Sequence, residues 1–421
     1  MPAGFVTVEI AMRQPLAALV VLIGGLAGLP ALAQHQPVGE KIEIRPDELP
    51  APNATPAVAN QSRHIPLPAN PRLRLPPGFV LNRFAGGLSH ARNLIVAPNG
   101  DVLLAEPEAG RITLLRDSKG TGEADQRAVF ASGLDRPHGL ALQDGYLYVG
   151  EVHQIRRLPY QVGAMTAGGP PENVTAMNSL GAFEPGHWTR NIAFSADGKG
   201  FYVTVGSRNN VAEEPVPYAT VQWFKRDGSG QRTYASGLRN PVGIAVNPAT
   251  GVPWVVVNER DGLGDGLVPD YLAGLRDGAF YGWPYAYTGT HPDPDWARKR
   301  PDLVPHSAMG DVLFTSHSAP LGLVFYDGAM FPPDYKGDAF VSFHGSWNSA
   351  RPTGYMIVRV RFKDGRPVGR GYETFATGFW AEGSETARVW GRPVGLAVAK
   401  DGALLVADDV SNSIWRISYK H

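Results

Sequence analysis

The stretch WGRPVGLAVAKDGALLVADD (390–409) holds the unit from which most of the chain is built. A glycine–proline lead-in is followed by a short apolar strand, a tight turn at Lys400-Asp401-Gly402, a second apolar strand and an acidic end. Asp-Gly between two apolar runs is the turn chemistry of a β-hairpin. Neither strand alternates apolar with polar residues, so both faces must be covered by other sheets.

The pattern recurs. Its copies are GLSHARNLIVAPNGDVLLAE (87–106), GLDRPHGLALQDGYLYVGE (133–151), GHWTRNIAFSADGKGFYVTVGSRNN (186–210), GLRNPVGIAVNPATGVPWVVVNERD (237–261) and SAPLGLVFYDGAMFPPDYKGDAFVSFHG (318–345). With the opening stretch there are six, starting about 45 to 80 residues apart, which fits propeller blades with variable loops. The expected fold is all-β, a six-bladed β-propeller of four-stranded antiparallel blades; a seven-bladed ring is the alternative. FVLNRF (79–84) precedes the first copy and Ser413–Tyr419 ends the last. The N-terminal strand is therefore expected to complete the final blade, leaving no open edge.

Composition agrees. Glycine (50) and proline (37) are abundant and no long run favours helix. Lys plus Arg and Asp plus Glu are 39 each, so net charge gives no reason to expect nucleic acid or an anionic membrane as partner. The absence of cysteine excludes disulfides, thiolate metal sites and cysteine nucleophiles.

From Met12 the chain reads MRQPLAALVVLIGGLAGLPALAQ, one arginine before an apolar run that ends in Ala31-Leu32-Ala33. This is the pattern of a signal peptide, with cleavage expected after Ala33 and export to the periplasm. The run is short and broken by Gly and Pro, so no stable membrane span is expected after cleavage. Glu9 before the segment suggests that translation starts at Met12 rather than Met1. The domains are then 1–33 signal peptide, 34–75 a Pro/Ala-rich tether, and 76–421 the propeller. Sequons at Asn53 and Asn173 matter only in a host that glycosylates.

In such a ring the lead-ins to the innermost strands meet around one mouth of the axial channel. They carry Arg92 and Asn93, Arg136 and His138, His187 and Arg190, Arg239 and Asn240, Ser318, and Arg392. The second strands return to the same mouth and end in Glu106, Glu151, Ser207, Glu259, His344 and Asp408. Blander readings stand beside a functional one. Arg239 and Arg392 could brace neighbouring blades, Glu106 and Glu151 could be strand-end partners, Asn240 could cap its turn, and Trp283 could be packing.

The ordered set GLRNPVGIAV (237–246), YGWP (281–284), HSAPLG (317–322), FHGSWN (343–348) and the opening stretch resembles the soluble quinoprotein glucose/sorbosone dehydrogenase family. NERDGLGD (258–265) and HGSWN are closer to its sorbosone dehydrogenase-like branch. The resemblance spans nearly all of 76–420. It implies pyrroloquinoline quinone (PQQ) and a calcium ion at the axial mouth. His187 falls at the family's catalytic base, and Arg239 with Asn240 at the pair reaching the reactive carbonyl. Arg392 matches a cofactor-carboxylate arginine, with His138 and His344 as further cofactor contacts. Glu259, Asp261 and Gly262 fall where the family supplies calcium ligands, largely main-chain carbonyls. Arg239 and calcium would stabilise charge growing on the quinone oxygen.

Some positions depart from the pattern. His344-Gly345-Ser346 stands where the glucose branch has another basic residue, and Ser349 stands where some relatives have arginine. No pair matches the substrate-stacking aromatics, for which Trp188, His317 and Trp347 are candidates. The implied partners are a small sugar or sugar aldehyde and an external electron acceptor, quinone or cytochrome. Two alternatives stay open: a metal-dependent lactonase-type propeller, and a non-catalytic propeller binding glycans or proteins. Phosphate-binding and dinucleotide glycine loops, HExxH and G-x-S-x-G are missing.

Overall fold

A computed structural model describes residues 36–181 and 186–420; the expected signal peptide, 1–33, lies outside them. Among the described residues, six antiparallel sheets of four or five strands follow one another along the chain. The first runs Leu94–Val96, Val102–Glu106, Arg111–Arg116, Gln126–Ser132, and the second Gly139–Gln143, Tyr146–Gly150, Ile155–Pro159, Glu172–Asn173. The third contains Ile192–Phe194, Gly200–Val205, Thr220–Lys225 and Arg232–Ser236, with Ala279–Phe280 added in parallel. The fourth contains Asn240–Val246, Pro253–Asn258, Tyr271–Gly274 and Val312–Leu313. The fifth runs Pro320–Phe325, Ala339–Phe343, Met356–Val360, Tyr372–Ala376, with Lys41–Ile42 on its outer edge. The sixth begins Pro393–Val398, Leu404–Asp408, Ser413–Tyr419, and its fourth strand is Phe79–Ala85, in register from Phe79↔Tyr419.

The doubly apolar strands behave as their composition requires. Along Val102–Glu106, Leu103 and Ala105 join a core with Leu140, Leu147 and Val149 of the second sheet. Val102 and Leu104 point the other way, into a core with Ala397, Leu405 and Ala407 of the sixth. Alternate residues thus enter opposite inter-sheet cores, each large side chain contributing about 1.5–3 kcal/mol by burial.

The glycine that recurs in the lead-ins has a packing reason. At Gly139, Gly243, Gly322 and Gly395 an added Cβ would fall under 3.0 Å from a backbone carbonyl of the next sheet's inner strand or its lead-in: Arg190, Leu321, Val394 and Arg92 respectively. Gly139 N donates to Arg190 O at 2.8 Å and Gly395 N to Arg92 O at 3.0 Å, joining neighbouring sheets. The first and third copies carry Asn93 and Asn191 at this position, and Asn93 Nδ2 donates to Asn191 Oδ1 at 3.2 Å.

Residues 36–75, expected as a tether, are held against the sheets. Lys41–Ile42 pairs with Tyr372–Glu373, Arg63–His64 pairs in parallel with Arg388–Val389, and Arg74 bridges Thr377. Their lack of periodicity follows from packing on loops, with almost no regular structure of their own.

Candidate active site

His187 opens the third sheet's lead-in. Its Nδ1 lies 2.8 Å from the Ser207 carbonyl and 3.1 Å from Ser207 Oγ. A carbonyl only accepts, so Nδ1 carries the proton and the lone pair sits on Nε2. Burial, then the Arg239 charge, lower its pKa to about 3, so the ring is a neutral base at ordinary pH. Arg190, buried behind it, donates to the His187 and Thr189 carbonyls at 3.0 Å and fixes the turn. A Cβ on Gly206 would collide with His187 Cβ and Asn240 Oδ1, so this glycine lets the two side chains approach. Asn240 Oδ1 is buried and has no hydrogen-bond partner.

Arg239 is 6 % exposed and tied to two loops. Nε and Nη2 donate to Asn210 O and Oδ1, each at 3.0 Å. Nη1 donates to Glu259 O at 2.7 Å and more weakly to Asn258 O at 3.4 Å, while Nη2 also reaches Asp261 Oδ2 at 3.0 Å. All five N–H groups are thus directed at protein acceptors. The guanidinium is thus held as a fixed charge beside His187.

The loop expected to bind calcium is engaged by the same groups. Glu259 O accepts from Arg239, and Asp261 O accepts from Asn210 Nδ2 at 3.0 Å. Asp261 Oδ1 accepts from Asn348 Nδ2 at 2.6 Å. Gly262, at φ 94°, makes the turn. The Glu259 carboxyl is buried, and desolvation raises its pKa to about 7. Among the described residues no group of three or more His, Asp or Glu side chains is arranged to hold a metal ion.

His317 is 7 % exposed, with Nε2 on Gly264 O at 3.1 Å and Nδ1 3.1 Å from Asn348 Nδ2. Both nitrogens are used inside the protein, so it brackets Asn348 and does not face a substrate. Trp347 is 46 % exposed and keeps a free ring surface. Trp188 is partly buried: the Arg136 guanidinium lies 4.3 Å from its ring centroid, Arg92 lies 5.6 Å away, and His138 meets it edge-on at 5.7 Å.

Across the mouth, Arg92 Nη1 pairs with Asp409 at 2.7 Å and His344 Nε2 with both Asp409 oxygens at 3.0 Å. Burial would raise the Asp409 carboxyl, but His344, Arg92 and His90 outweigh it and hold it well below the usual range. Burial and the Arg392 charge lower His344 to about 4. Arg392 donates to the His344 and Gly345 carbonyls at 2.9 and 2.7 Å. Arg92, Arg392, His344 and Asp409 line one cleft of about 540 Å³ with His64 and His90. His138 is buried with neither ring nitrogen hydrogen-bonded, and burial, then Arg92, lower its pKa to about 3.

The structure therefore joins His187, Arg239, Asn240, Glu259 and Asp261 on one side, and Arg92, His344 and Arg392 on the other, with His138 and Trp188 between. Glu106 and Glu151 are strand-end groups, paired with Arg111 and Arg156 of their own sheets. Four further residues organise the site. Asp409 follows Asp408, which caps the sheet end by accepting from Arg392 N and Ser411 N. Asp270 accepts from Glu259 N and Ala319 N at 2.9 Å, tying two loops together. Asn210 and Asn348 hold Asp261 from opposite sides. The doubled acid in VADDV and the Asn-rich end of SRNN were the sequence signals for two of them.

Two family models match this chain: TrAA12-like over residues 73–267 and 304–420, and glucose/sorbosone dehydrogenase over 217–344. Among solved structures, the holo PQQ domain of pyranose dehydrogenase from Coprinopsis cinerea is 21 % identical, with TM-score 0.71 over 84 % of this chain and 98 % of that one. The calcium structure of the Trichoderma reesei family AA12 enzyme is 19 % identical, with TM-score 0.71 over 84 % and 98 %. PQQ-bound aldose sugar dehydrogenase from Streptomyces coelicolor is 16 % identical, with TM-score 0.58 over 84 % and 99 %. At these identities the structural likeness establishes the fold.

Proposed function

The chain belongs to the TrAA12-like family, and from that premise we propose that it is a PQQ-dependent dehydrogenase oxidising a sugar or sugar aldehyde at this mouth. The six sheets are read as blades of one ring, with Phe79–Ala85 completing the last. The observation that carries the reading is His187: a neutral imidazole with its proton fixed on Nδ1, beside a clamped arginine.

The residues suit a flat tricarboxylate. Arg92 Nε, both nitrogens of His138, Asn240 Oδ1 and Ser318 Oγ are buried polar atoms without protein partners. Orphaned groups of this kind are costly unless a ligand or water satisfies them. Arg92, Arg392, His138, His344 and Asn240 would hold the cofactor, the arginines matching its carboxylates in charge and shape. PQQ, when bound, supplies a carbonyl that accepts hydride from the substrate carbon. His187 Nε2 takes the substrate hydroxyl proton, and the Ser207 carbonyl on Nδ1 stabilises the resulting imidazolium. The fixed Arg239 charge favours negative charge developing nearby without reorganisation.

Calcium, if bound, would be held by the main-chain carbonyls of 259–262, of which Glu259 O and Asp261 O also accept from Arg239 and Asn210. The lactonase-type alternative needs several carboxylate or Asn side chains converging on a metal, and among the described residues no group of three or more His, Asp or Glu side chains is so arranged. An aldose would give a lactone and an aldehyde hydrate an acid, with electrons passing to an external acceptor. Export to the periplasm is proposed from the Ala31-Leu32-Ala33 pattern; among the described residues no helix is long and apolar enough to cross a membrane.

The test is dye reduction by the mature protein reconstituted with PQQ, with and without calcium, across aldoses and sugar aldehydes. Turnover with at least one substrate class is expected. Cofactor loading without oxidation of any of them would remove the sugar dehydrogenase reading.

A further inference from the structure

Residues 36–72 precede both matched segments, yet they run across the loops that build one side of the mouth. Asn53 N donates to Leu263 O at 2.8 Å and Thr55 Oγ1 accepts from Asp265 N at 2.8 Å. Leu49 packs on Leu263, Leu267 and Val268. The segment then reaches Asn60, where its contacts concentrate.

Asn60 N donates to Trp347 O at 2.7 Å. Its Nδ2 donates to Ser349 O at 2.9 Å, Glu385 O at 2.7 Å and, more weakly, Ala350 O at 3.3 Å. Oδ1 accepts from Thr386 Oγ1 at 2.8 Å. One residue therefore grips the peptide carbonyls on both sides of Asn348. Asn348 Nδ2 in turn holds Asp261 Oδ1 at 2.6 Å, and Asp261 Oδ2 holds Arg239 at 3.0 Å. Ala350 N also donates to Asp265 Oδ1 at 2.9 Å, so the two loops are pinned to each other as well as to the strap.

We propose that this strap is a wall of the active site and that Asn60 is a positioning residue. It fixes the Trp347–Asn348 turn and, through Asn348 and Asp261, the placement of Arg239. Trp347, half-exposed on the turn that Asn60 holds, is then a rigid aromatic surface offered to the substrate, with its backbone set by a segment outside the family core. The Trp347 and cofactor parts rest on the function proposed above; the clamping of the loops does not.

Hydrogen–deuterium exchange of the cofactor-free mature chain tests the clamp. Asn60→Ala should speed exchange of peptides covering 344–351 about tenfold, the loss expected for a hydrogen bond worth roughly 1.4 kcal/mol, and peptides covering 102–116 should not change. Asn60→Asp keeps the Thr386 bond but turns a carboxylate on the carbonyls, so it should exchange at least as fast as Asn60→Ala. Thr55→Ala, a milder change, should speed only 263–266. In the loaded enzyme, Asn60→Ala should raise KM several-fold through the loosened Trp347 turn and lower kcat several-fold through Arg239, with the PQQ Kd nearly kept. Unchanged exchange over 344–351 in folded Asn60 variants overturns the proposal. Should wild type take up no quinone, exchange alone decides the clamp and only the functional reading falls.

Discussion

His187 is one of three imidazoles at the mouth held neutral, with His138 at about 3 and His344 at about 4. Desolvation leads in each case, and arginines deepen it. The consequence for stability has a definite sign. In the unfolded chain an imidazole protonates below its ordinary value of 6.5, whereas folded His138 stays neutral down to about 3. The unfolded state therefore binds more protons over that window, and stability falls as pH drops through it. Between pH 7 and 5, His138 alone should cost about 2 kcal/mol. Chemical denaturation at the two pH values should show a correspondingly smaller acid loss in His138→Gln; equal losses would contradict its neutral burial. What the sequence disclosed at this scale was the repeat position of His187, ahead of an inner strand. What it hid was every partner supplied by another loop. Asp409, one residue beyond the aligned strand end, is the counter-charge for Arg92 and accepts from His344, and only the fold brings the three together.

At the scale of elements, the hairpins were legible because their apolar runs and Asp-Gly turns are local signals. The recurrent lead-in glycine was visible too, but its cause was not, since the obstructing atom belongs to the neighbouring sheet. Gly395 has room for no Cβ, with Arg92 O and Asn93 Cα in the way. Gly395→Ala should destabilise by about 1–3 kcal/mol through overpacking, read from the shift in denaturant midpoint. A neutral result would mean the inner strands can part without cost. The N-terminal strap illustrates the opposite limit. Residues 36–75 lack periodicity because most of their hydrogen bonds go singly to distant loops, some more than three hundred residues away, as Asn60 does to Ser349, Ala350 and Glu385. Periodicity cannot report such contacts, so the segment reads as a tether.

Across the whole molecule, the pairing of Phe79–Ala85 with Ser413–Tyr419 places the two ends of the repeat in one sheet. Edge polar groups that would otherwise invite association are thereby satisfied. A chain with equal numbers of acidic and basic residues nonetheless gathers arginines 92, 190, 239 and 392 around His138, His187 and His344, where overall charge gives no hint of them. On the function proposed above, this mouth holds PQQ and His187 takes the substrate proton there. The most direct test is an anaerobic single-turnover experiment on protein loaded with PQQ, in which the bound quinone is followed spectroscopically after a sugar is added. Reduction is expected in wild type, and a His187→Ala variant should bind the quinone comparably but reduce it about a hundredfold or more slowly. Failure of wild type to bind PQQ, with calcium present or absent, or reduction at the wild-type rate by His187→Ala, would contradict it.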